Sequence, residues 1–182
     1  MRGFRTSGRH RESSYNSVKR TTISHKFIQL RGNTMDKALQ LRREEVVREH
    51  FESETAQEFD RTLETFDKPH YEIMATSEVY DGADEVMGYY IATRTAFPDQ
   101  RHENVRMHFS EDCVISEFDL LGTNKGLFYG LEPTGKSFKV PICAIFFFEG
   151  DRIVNERIYF DSASLVSQIG QGAALAGLLG DS

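Results

Sequence analysis

The stretch SFKVPICAIFFFEGDRIVNERIYFD, residues 137–161, decides the fold class. Its first half, residues 137–149, places an apolar residue at every second position, which is the period of a β-strand. These positions are Phe138, Val140, Ile142, Ala144, Phe146 and Phe148. Glu149-Gly150-Asp151 is typical of a turn, and RIVNERIYF at 152–160 predicts the next strand. The stretch therefore predicts two antiparallel strands joined by a hairpin.

Three further strands are predicted upstream of this hairpin. Apolar and polar residues alternate from Val105 to Phe109, and CVISEFDLL at 113–121 and GLFYGLE at 126–132 are also predicted to be extended. Turn sequences separate these strands at Glu111-Asp112, 123–126 and 133–135. The second half of the chain is thus predicted to be an antiparallel meander.

The chain before residue 100 is predicted to be mainly helical. Apolar residues keep near-helical spacing from Asp36 to Phe66, and TAQE at 55–58 has the form of a capping box, where a second helix is expected to start. Pro69 ends it, because a proline disfavours helix at the preceding residue. The remaining predicted elements are short extended pieces at 71–74 and 78–80, a helix from Asp81-Gly82 to Phe97, and a short helix at 162–169. Helices followed by a meander make an α+β plan.

The stretch GLEPTGKS, residues 130–137, matches the pattern of a phosphate-binding loop. Such a loop needs a helix directly after it, because the helix N-terminus supplies the amides and the dipole that hold the phosphate. Here a strand pattern with Pro141 inside it follows, and proline would break a helix. The match is therefore interpreted as a hairpin turn, and no nucleotide binding is expected.

Charge is distributed unevenly along the 182 residues. Residues 1–34 hold eight basic side chains and one acid, which gives +7; the remaining 14 basic and 27 acidic side chains give −13, and the two add to the net charge of −6. An acidic body argues against nucleic acid as the main partner. No apolar run reaches the roughly 18 residues that a membrane helix needs, so no membrane partner is expected.

The cysteines and histidines show no metal or redox spacing. Cys113 and Cys143 are expected to be free thiols in a reducing cytoplasm, with a disulfide as the less favoured alternative. His102 and His108 share strand parity but lie too far apart to chelate one ion. We therefore expect no metal.

The first 34 residues are rich in Arg and Ser and lack apolar periodicity. Three interpretations are open: a disordered tail, an organelle transit peptide, or an over-extended gene model whose natural start is Met35. We expect a segment outside the domain at 1–34, a domain at 35–170 and a short C-terminal tail at 171–182.

The run from Gly122 to Gly170 resembles the SnoaL-like polyketide cyclase and ester cyclase family of the nuclear transport factor 2-like superfamily. Four motifs carry the resemblance: Pro133-Thr-Gly-Lys136, Gly150-Asp-Arg-Ile153, Tyr159-Phe-Asp161 and Leu165-Val-Ser-Gln-Ile-Gly170. YDGADEVMGYYIATRTAFPD at 80–99 is similar to the family's helix that begins at glycine and ends in Phe-Pro-Asp. The resemblance spans roughly residues 40–170.

The resemblance implies an α+β fold, a cone of curved antiparallel sheet closed by about three helices, with a ligand pocket between them. It implies that an Asp near the end of the last strand, here Asp161, acts as general acid/base, and that no metal or organic cofactor is needed. Where the family usually has His in its Gly-Thr-His turn, this chain has Asn124. The role of that His therefore does not carry over unchanged.

The candidate site residues each have a structural alternative. Asp161 also suits a helix N-cap. Arg157, Tyr159 and Asp161 share one face of the last strand, and Glu156, Ile158 and Phe160 share the other, but parity does not tell which face is the inner one. His70 and Tyr71 follow Pro69 at the expected pocket rim, where they could equally be a packing pair. On the second strand of the meander Phe118 alternates with Glu117 and Asp119, and Phe118 is a further candidate for the pocket.

Three functions from different classes remain open at this point. One is a cofactor-independent enzyme that acts on a small, largely apolar carbonyl compound through Asp161, as a cyclase, isomerase or lyase. The others are a non-catalytic pocket for a hydrophobic ligand and a dimerisation module. Apolar residues on both faces at 145–148 predict a homodimer, because the outer face of this strand then needs a cover.

Overall fold

The strand hairpin at 137–160 lies at the centre of a single six-stranded sheet. The computed structural model describes residues 36–173, so the expectations for 1–34 and for most of the tail fall outside the described residues. The elements are α1 (Lys37–Ala56), α2 (Phe59–Leu63), β1 (His70–Ile73), β2 (Glu78–Asp81), α3 (Ala83–Ala96), β3 (Arg101–Phe109), β4 (Cys113–Thr123), β5 (Ser137–Glu149), β6 (Arg152–Phe160) and α4 (Ser162–Gln168). Helices thus precede an antiparallel meander, which confirms the α+β prediction.

The strand order is β2-β1-β6-β5-β4-β3. Strands β3 to β6 pair antiparallel in sequence, and β1 adds to the free edge of β6 in parallel. Pro141 pairs with Asp119 on β4, and pairing with β6 starts only at Ile142. Pro141 therefore lies where β5 has a neighbour on one side only, a position at which proline is tolerated.

The even-numbered residues of β5 from Phe138 to Phe148 are all buried, and the odd-numbered ones are partly or fully exposed. On this buried face Phe146 packs against Phe51 of α1, and the face belongs to the same core cluster as Val47 of α1 and Val86 and Tyr90 of α3. This burial fixes the inner face of the whole sheet, including that of β6. The hydrophobic effect of covering this row of side chains is what holds the helices on the sheet.

Two local predictions were wrong. Residues 126–132 do not form a strand: Tyr129 and Gly130 adopt positive φ angles of 49° and 77°, which turn the chain back on itself. The sequence TAQE is not a capping box, because α1 continues to Ala56 and ends at Gln57, whose left-handed φ is 61°. The N-cap of α2 is Glu58, which makes no side-chain capping bond.

The phosphate-loop pattern lies in the connection between β4 and β5, and Ser137 is the first residue of a strand. The helix that phosphate binding needs is therefore replaced by β5. Cys113 and Cys143 are both free thiols. Within residues 36–173, no helix is both long and apolar enough to cross a membrane.

Candidate active site

A cavity of about 60 Å³ lies between the helices and the inner face of the sheet. Its polar wall includes Glu54, Gln100, His102 and Glu156, together with Tyr71, Tyr89 and Thr93. Its apolar wall is formed by Phe97, Phe118, Leu120, Phe128, Phe138, Ile142, Ile158, Phe160 and Leu165. We call this space the inner cavity; it combines two carboxyl groups with mainly aromatic walls.

A second, larger space of about 350 Å³ adjoins the inner cavity. Five residues line both spaces: Tyr89, Thr93, Phe128, Phe160 and Leu165. The remaining walls of the second space include Ile73, Thr76 and Val166, and it contains no acidic or basic side chain. We call it the outer cleft, an apolar space next to the inner cavity.

Glu156 projects from β6 into the inner cavity with its side chain only 2% exposed. Its Oε2 lies 3.1 Å from Nε2 of His50. Burial is the main reason that the pKa of the Glu156 carboxyl is raised, and the nearby charge of Glu54 adds to it. The carboxyl group of Glu156 is therefore buried beside an imidazole in the wall of the inner cavity.

His50 on α1 is oriented by the residues that follow α2. Its Nδ1 lies 3.0 Å from the hydroxyl of Thr65, and that hydroxyl donates to the backbone oxygen of Thr62 at 2.6 Å. Since the hydroxyl proton of Thr65 is used in this way, Nδ1 must be the donor to it, and Nε2 is the nitrogen that faces Glu156. Burial lowers the pKa of His50, but the carboxylates of Glu156 and Glu54 outweigh it, and the pKa is raised. Glu156 and His50 thus form a pair that can hold a proton between them.

Glu54 is the second carboxyl group of the inner cavity, and its pKa is shifted in the opposite direction to that of Glu156. Nη2 of Arg94 on α3 donates to its Oε1 at 2.6 Å, and both side chains are buried. Burial raises the pKa of Glu54, but the charges of Arg94, His102 and His50 together lower it below its usual range. The pKa values of the two carboxyl groups of this cavity are thus shifted in opposite directions, the pattern that acid/base sites show.

His102 on β3 closes the cavity on the side of α1. Its Nε2 lies 3.7 Å from Oε2 of Glu54, and its Nδ1 lies 3.1 Å from the hydroxyl of Thr55. Burial lowers the pKa of His102 to about 4. At neutral pH this imidazole is therefore uncharged.

Tyr71 and Phe118, two of the predicted site residues, line the inner cavity, and Tyr71 is 1% exposed. His70 does not: it lies at the surface, 3.1 Å from Asp81. Asn124, at the position where the family has His, is fully buried and binds the turn around it, donating to Gly126 O and accepting from Thr134 N.

Asp161, Arg157 and Tyr159 lie outside the inner cavity. Asp161 is exposed at the N-terminus of α4, where its Oδ1 accepts from the backbone N–H of Ser164 at 3.2 Å. Arg157 pairs with Glu72 on the outer face, and Tyr159 is 40% exposed. The physical reason is the alternation of β6, which turns Glu156, Ile158 and Phe160 inward and the predicted set outward.

Sequence reasoning missed the central group of the cavity, which consists of His50, Glu54, Arg94, His102 and Glu156. One signal was present on α1: His50 and Glu54 are four residues apart and flank Phe51, so they share the buried face of the helix. Another was Glu156, a single acid in line with the apolar positions Ile158 and Phe160. Neither signal identifies the partners that lie on distant elements.

Comparisons with known proteins agree with this architecture. A protein from Jannaschia sp. CCS1, a proposed SnoaL-like polyketide cyclase, superposes with a TM-score of 0.65 at 20% identity over 71% of this chain and 92% of that one. A proposed polyketide cyclase from Xanthomonas campestris gives 0.67 at 13% identity over 72% and 99%. A hypothetical protein with a ketosteroid isomerase-like fold from Catenulispora acidiphila, solved with trimethylamine, gives 0.63 at 19% over 71% and 95%.

At these identities the superpositions show the fold alone, and among curated protein sequences none matches this chain significantly. The family assignment comes from the sequence. The family model described as SnoaL-like polyketide cyclase matches residues 44–169, which is more than half of the chain and includes every residue of the inner cavity. The chain belongs to the SnoaL-like polyketide cyclase family.

Proposed function

We propose that the chain is an enzyme that moves a proton on a small, largely apolar carbonyl compound, with Glu156 as the general acid/base. The observation that carries this proposal is the carboxyl group of Glu156, which is buried in the wall of the inner cavity with Oε2 3.1 Å from Nε2 of His50. Burying a carboxyl group costs stability, so its retention in the wall of a cavity favours a functional role. The proposal gives Glu156 the role that the resemblance implies for Asp161.

The proposed step is the transfer of a proton from the carbon next to the carbonyl group to the carboxylate of Glu156. The electron pair of the broken C–H bond moves into the C–C bond, and the carbonyl oxygen becomes an enolate oxygen. Gln100 and Tyr89 line the same cavity and carry N–H and O–H donors that suit this oxygen. Return of the proton to another carbon gives isomerisation. Attack of the enolate carbon on a second carbonyl group of the same molecule gives cyclisation, and the protonated Glu156 then returns its proton to the alkoxide oxygen that forms. These steps need side chains of the chain only.

The raised pKa of Glu156 fits this step. A general base works best when its pKa lies near the working pH, because it is then both available and basic. His50 supports the ionised form through the 3.1 Å contact, and Glu54 opposes it by like charge. The apolar walls keep competing water away from the enolate.

Cyclohex-3-enone tests the proposal without knowledge of the natural substrate. Its isomerisation to cyclohex-2-enone needs removal of a proton from C2 and return of a proton to C4, and the conjugated product is followed by its ultraviolet absorbance. We expect Glu156→Gln to lower the rate by about 10²–10⁴-fold, the usual effect of losing a general acid or base. The matched control Asp161→Asn is expected to stay within about twofold, because Asn is also a good N-cap.

Two outcomes contradict the proposal. Full activity in Glu156→Gln with a loss in Asp161→Asn would return the catalytic role to Asp161. Binding of cyclohexenone without any acceleration by the wild-type protein would instead favour a non-catalytic pocket.

We also propose that a second copy of the chain covers the outer face of the sheet. Ile115, Ile145 and Phe147 form a half-buried apolar centre there, and charged pairs such as Lys139–Asp119 and Arg157–Glu72 surround it. An apolar centre with a rim of both charge signs suits a self-complementary two-fold interface. Light scattering at micromolar concentration should give twice the mass of one chain, and a monomer would contradict this.

A further inference from the structure

The ring of Phe128 lies between the inner cavity and the outer cleft. Of the five residues that line both spaces, Tyr89 and Thr93 belong to α3, Phe160 to β6 and Leu165 to α4. Phe128 alone of these five is carried by a loop, the connection between β4 and β5. Its ring packs edge to face against Phe97 with 4.8 Å between centroids. Of the five residues that line both spaces, Phe128 is therefore the one that does not belong to a helix or a strand of the sheet.

Phe128 belongs to a short hairpin at residues 127–131, which we call the gate hairpin. The backbone N–H of Phe128 donates to Leu131 O at 3.1 Å, and the N–H of Leu131 donates to Phe128 O at 2.9 Å. The turn consists of Tyr129 and Gly130, both at positive φ, as a two-residue hairpin requires. Tyrosine rarely adopts this conformation. Here its hydroxyl donates to the carboxylate of Glu78 on β2, which ties the hairpin tip to the other end of the sheet.

The base of the gate hairpin is fixed more firmly than its tip. Asn124 is fully buried and bonds to Gly126 O and Thr134 N, both at 2.9 Å. A Cβ on Gly126 would lie 2.3 Å from the backbone oxygen of Thr95, so this part of the loop packs directly on α3. At the tip, by contrast, Leu127 and Tyr129 are 59% and 60% exposed.

We propose that Phe128 determines which part of a ligand reaches Glu156. The inner cavity of about 60 Å³ admits a small carbonyl-bearing group, whereas the outer cleft of about 350 Å³ holds a larger apolar body. With the ring of Phe128 in place, a second fused ring is kept out of the inner cavity. The substrate class is then a compound with a small carbonyl end and a bulky apolar remainder. This inference rests on the proposed function for the identity of the reacting group, but the division of the space is a binding property.

Isoleucine methyl groups report the two spaces separately. Ile142 and Ile158 line the inner cavity and not the outer cleft, and Ile73 lines the outer cleft and not the inner cavity. The probes are cyclohexanone, with one ring, and 1-tetralone, with two fused rings, titrated into the full chain with labelled isoleucine δ1 methyl groups. In the wild-type protein we expect cyclohexanone to shift the signals of Ile142 and Ile158, and 1-tetralone to shift that of Ile73 only.

The decisive variant is Phe128→Ala, with Leu127→Ala as the matched control on the same hairpin. In Phe128→Ala, 1-tetralone should shift the inner methyl signals as well and bind at least about tenfold more tightly, or about 1.4 kcal/mol. Phe128→Leu should give an intermediate change and replaces the alanine variant if that one does not fold. Leu127→Ala should behave as the wild type.

Two results would contradict the proposed role of Phe128. One is a shift of the Ile142 and Ile158 signals by 1-tetralone in the wild-type protein, and the other is unchanged binding of 1-tetralone in both Phe128 variants. If the methyl shifts and the binding of 1-tetralone follow these expectations but the protein has no isomerase activity, the proposed function is contradicted and this inference is not.

Discussion

The two faces of β6 carry similar charged groups in opposite surroundings. On the inner face, Glu156 lies beside the buried pair of Glu54 and Arg94. On the outer face, Arg157 pairs with Glu72 where water reaches both side chains. The pKa of Glu72 is lowered, chiefly by its hydrogen bond with Arg157, whereas that of Glu156 is raised, chiefly by burial. Two glutamates of the same sheet therefore differ in the direction of their pKa shift because their surroundings differ.

The largest difference between the two faces is expected in the free energy of unfolding when the arginine of each Arg–Glu pair is replaced. Arg94→Met leaves the charge of Glu54 buried without its main partner, and we expect a loss of about 3–5 kcal/mol in the free energy of unfolding. Arg157→Met removes the matched exposed pair and should cost at most about 1 kcal/mol. Denaturant titrations measure both values. Equal losses in the two variants would show that the inner pair is better solvated than the structure indicates.

A smaller effect is expected from His102 as the pH falls. Its pKa of about 4 in the folded chain lies below the unfolded value near 6.5. The unfolded chain thus binds more protons between these values, so the stability contributed by the neutral imidazole is present above pH 6.5 and is lost as the pH falls toward 4. The slope from this residue is at most about 1.4 kcal/mol per pH unit. The variant His102→Gln should flatten the stability profile in this window, and a His102 resonance that titrates near 6.5 would refute the assignment.

Much of the fold could be predicted from the sequence because local signals were consistent. The alternation at 137–160 gave β5 and β6 at the observed residues, and Gly82 and Phe97 bounded α3. The segment 126–132 was wrongly predicted to be a strand because its apolar residues suit one. The turn found there depends on Tyr129 at positive φ, a conformation that tyrosine rarely adopts. Tertiary contacts with Glu78 and Phe97 supply that information.

The candidate site was harder to predict than the fold. The alternation along β6 correctly predicted which of its side chains share a face. Which face points inward depends on where α1 and α3 cover the sheet, and strand alternation does not contain that information. His50, Glu54 and Arg94 come from α1 and α3, and they meet Glu156 only after long-range packing. The resemblance to a family pointed to the end of β6, and the structure shows Asp161 there as a helix cap. The acid/base role that the resemblance implies for Asp161 stays a prediction, and the isomerisation assay with Glu156→Gln and Asp161→Asn tests it.

The most direct test of the account is the pKa of the Glu156 carboxyl, followed by carbon-13 NMR of a chain labelled at the glutamate side-chain carboxyl. The signal is assigned by its loss in Glu156→Gln, and Glu72, assigned by Glu72→Gln, serves as the outer-face reference. We expect the pKa of Glu156 to lie above the usual range of a glutamate and that of Glu72 to lie below it. Titration of Glu156 at or below the midpoint of Glu72 would contradict the proposed function, because the inner and outer faces of the sheet would then give a carboxyl group the same surroundings.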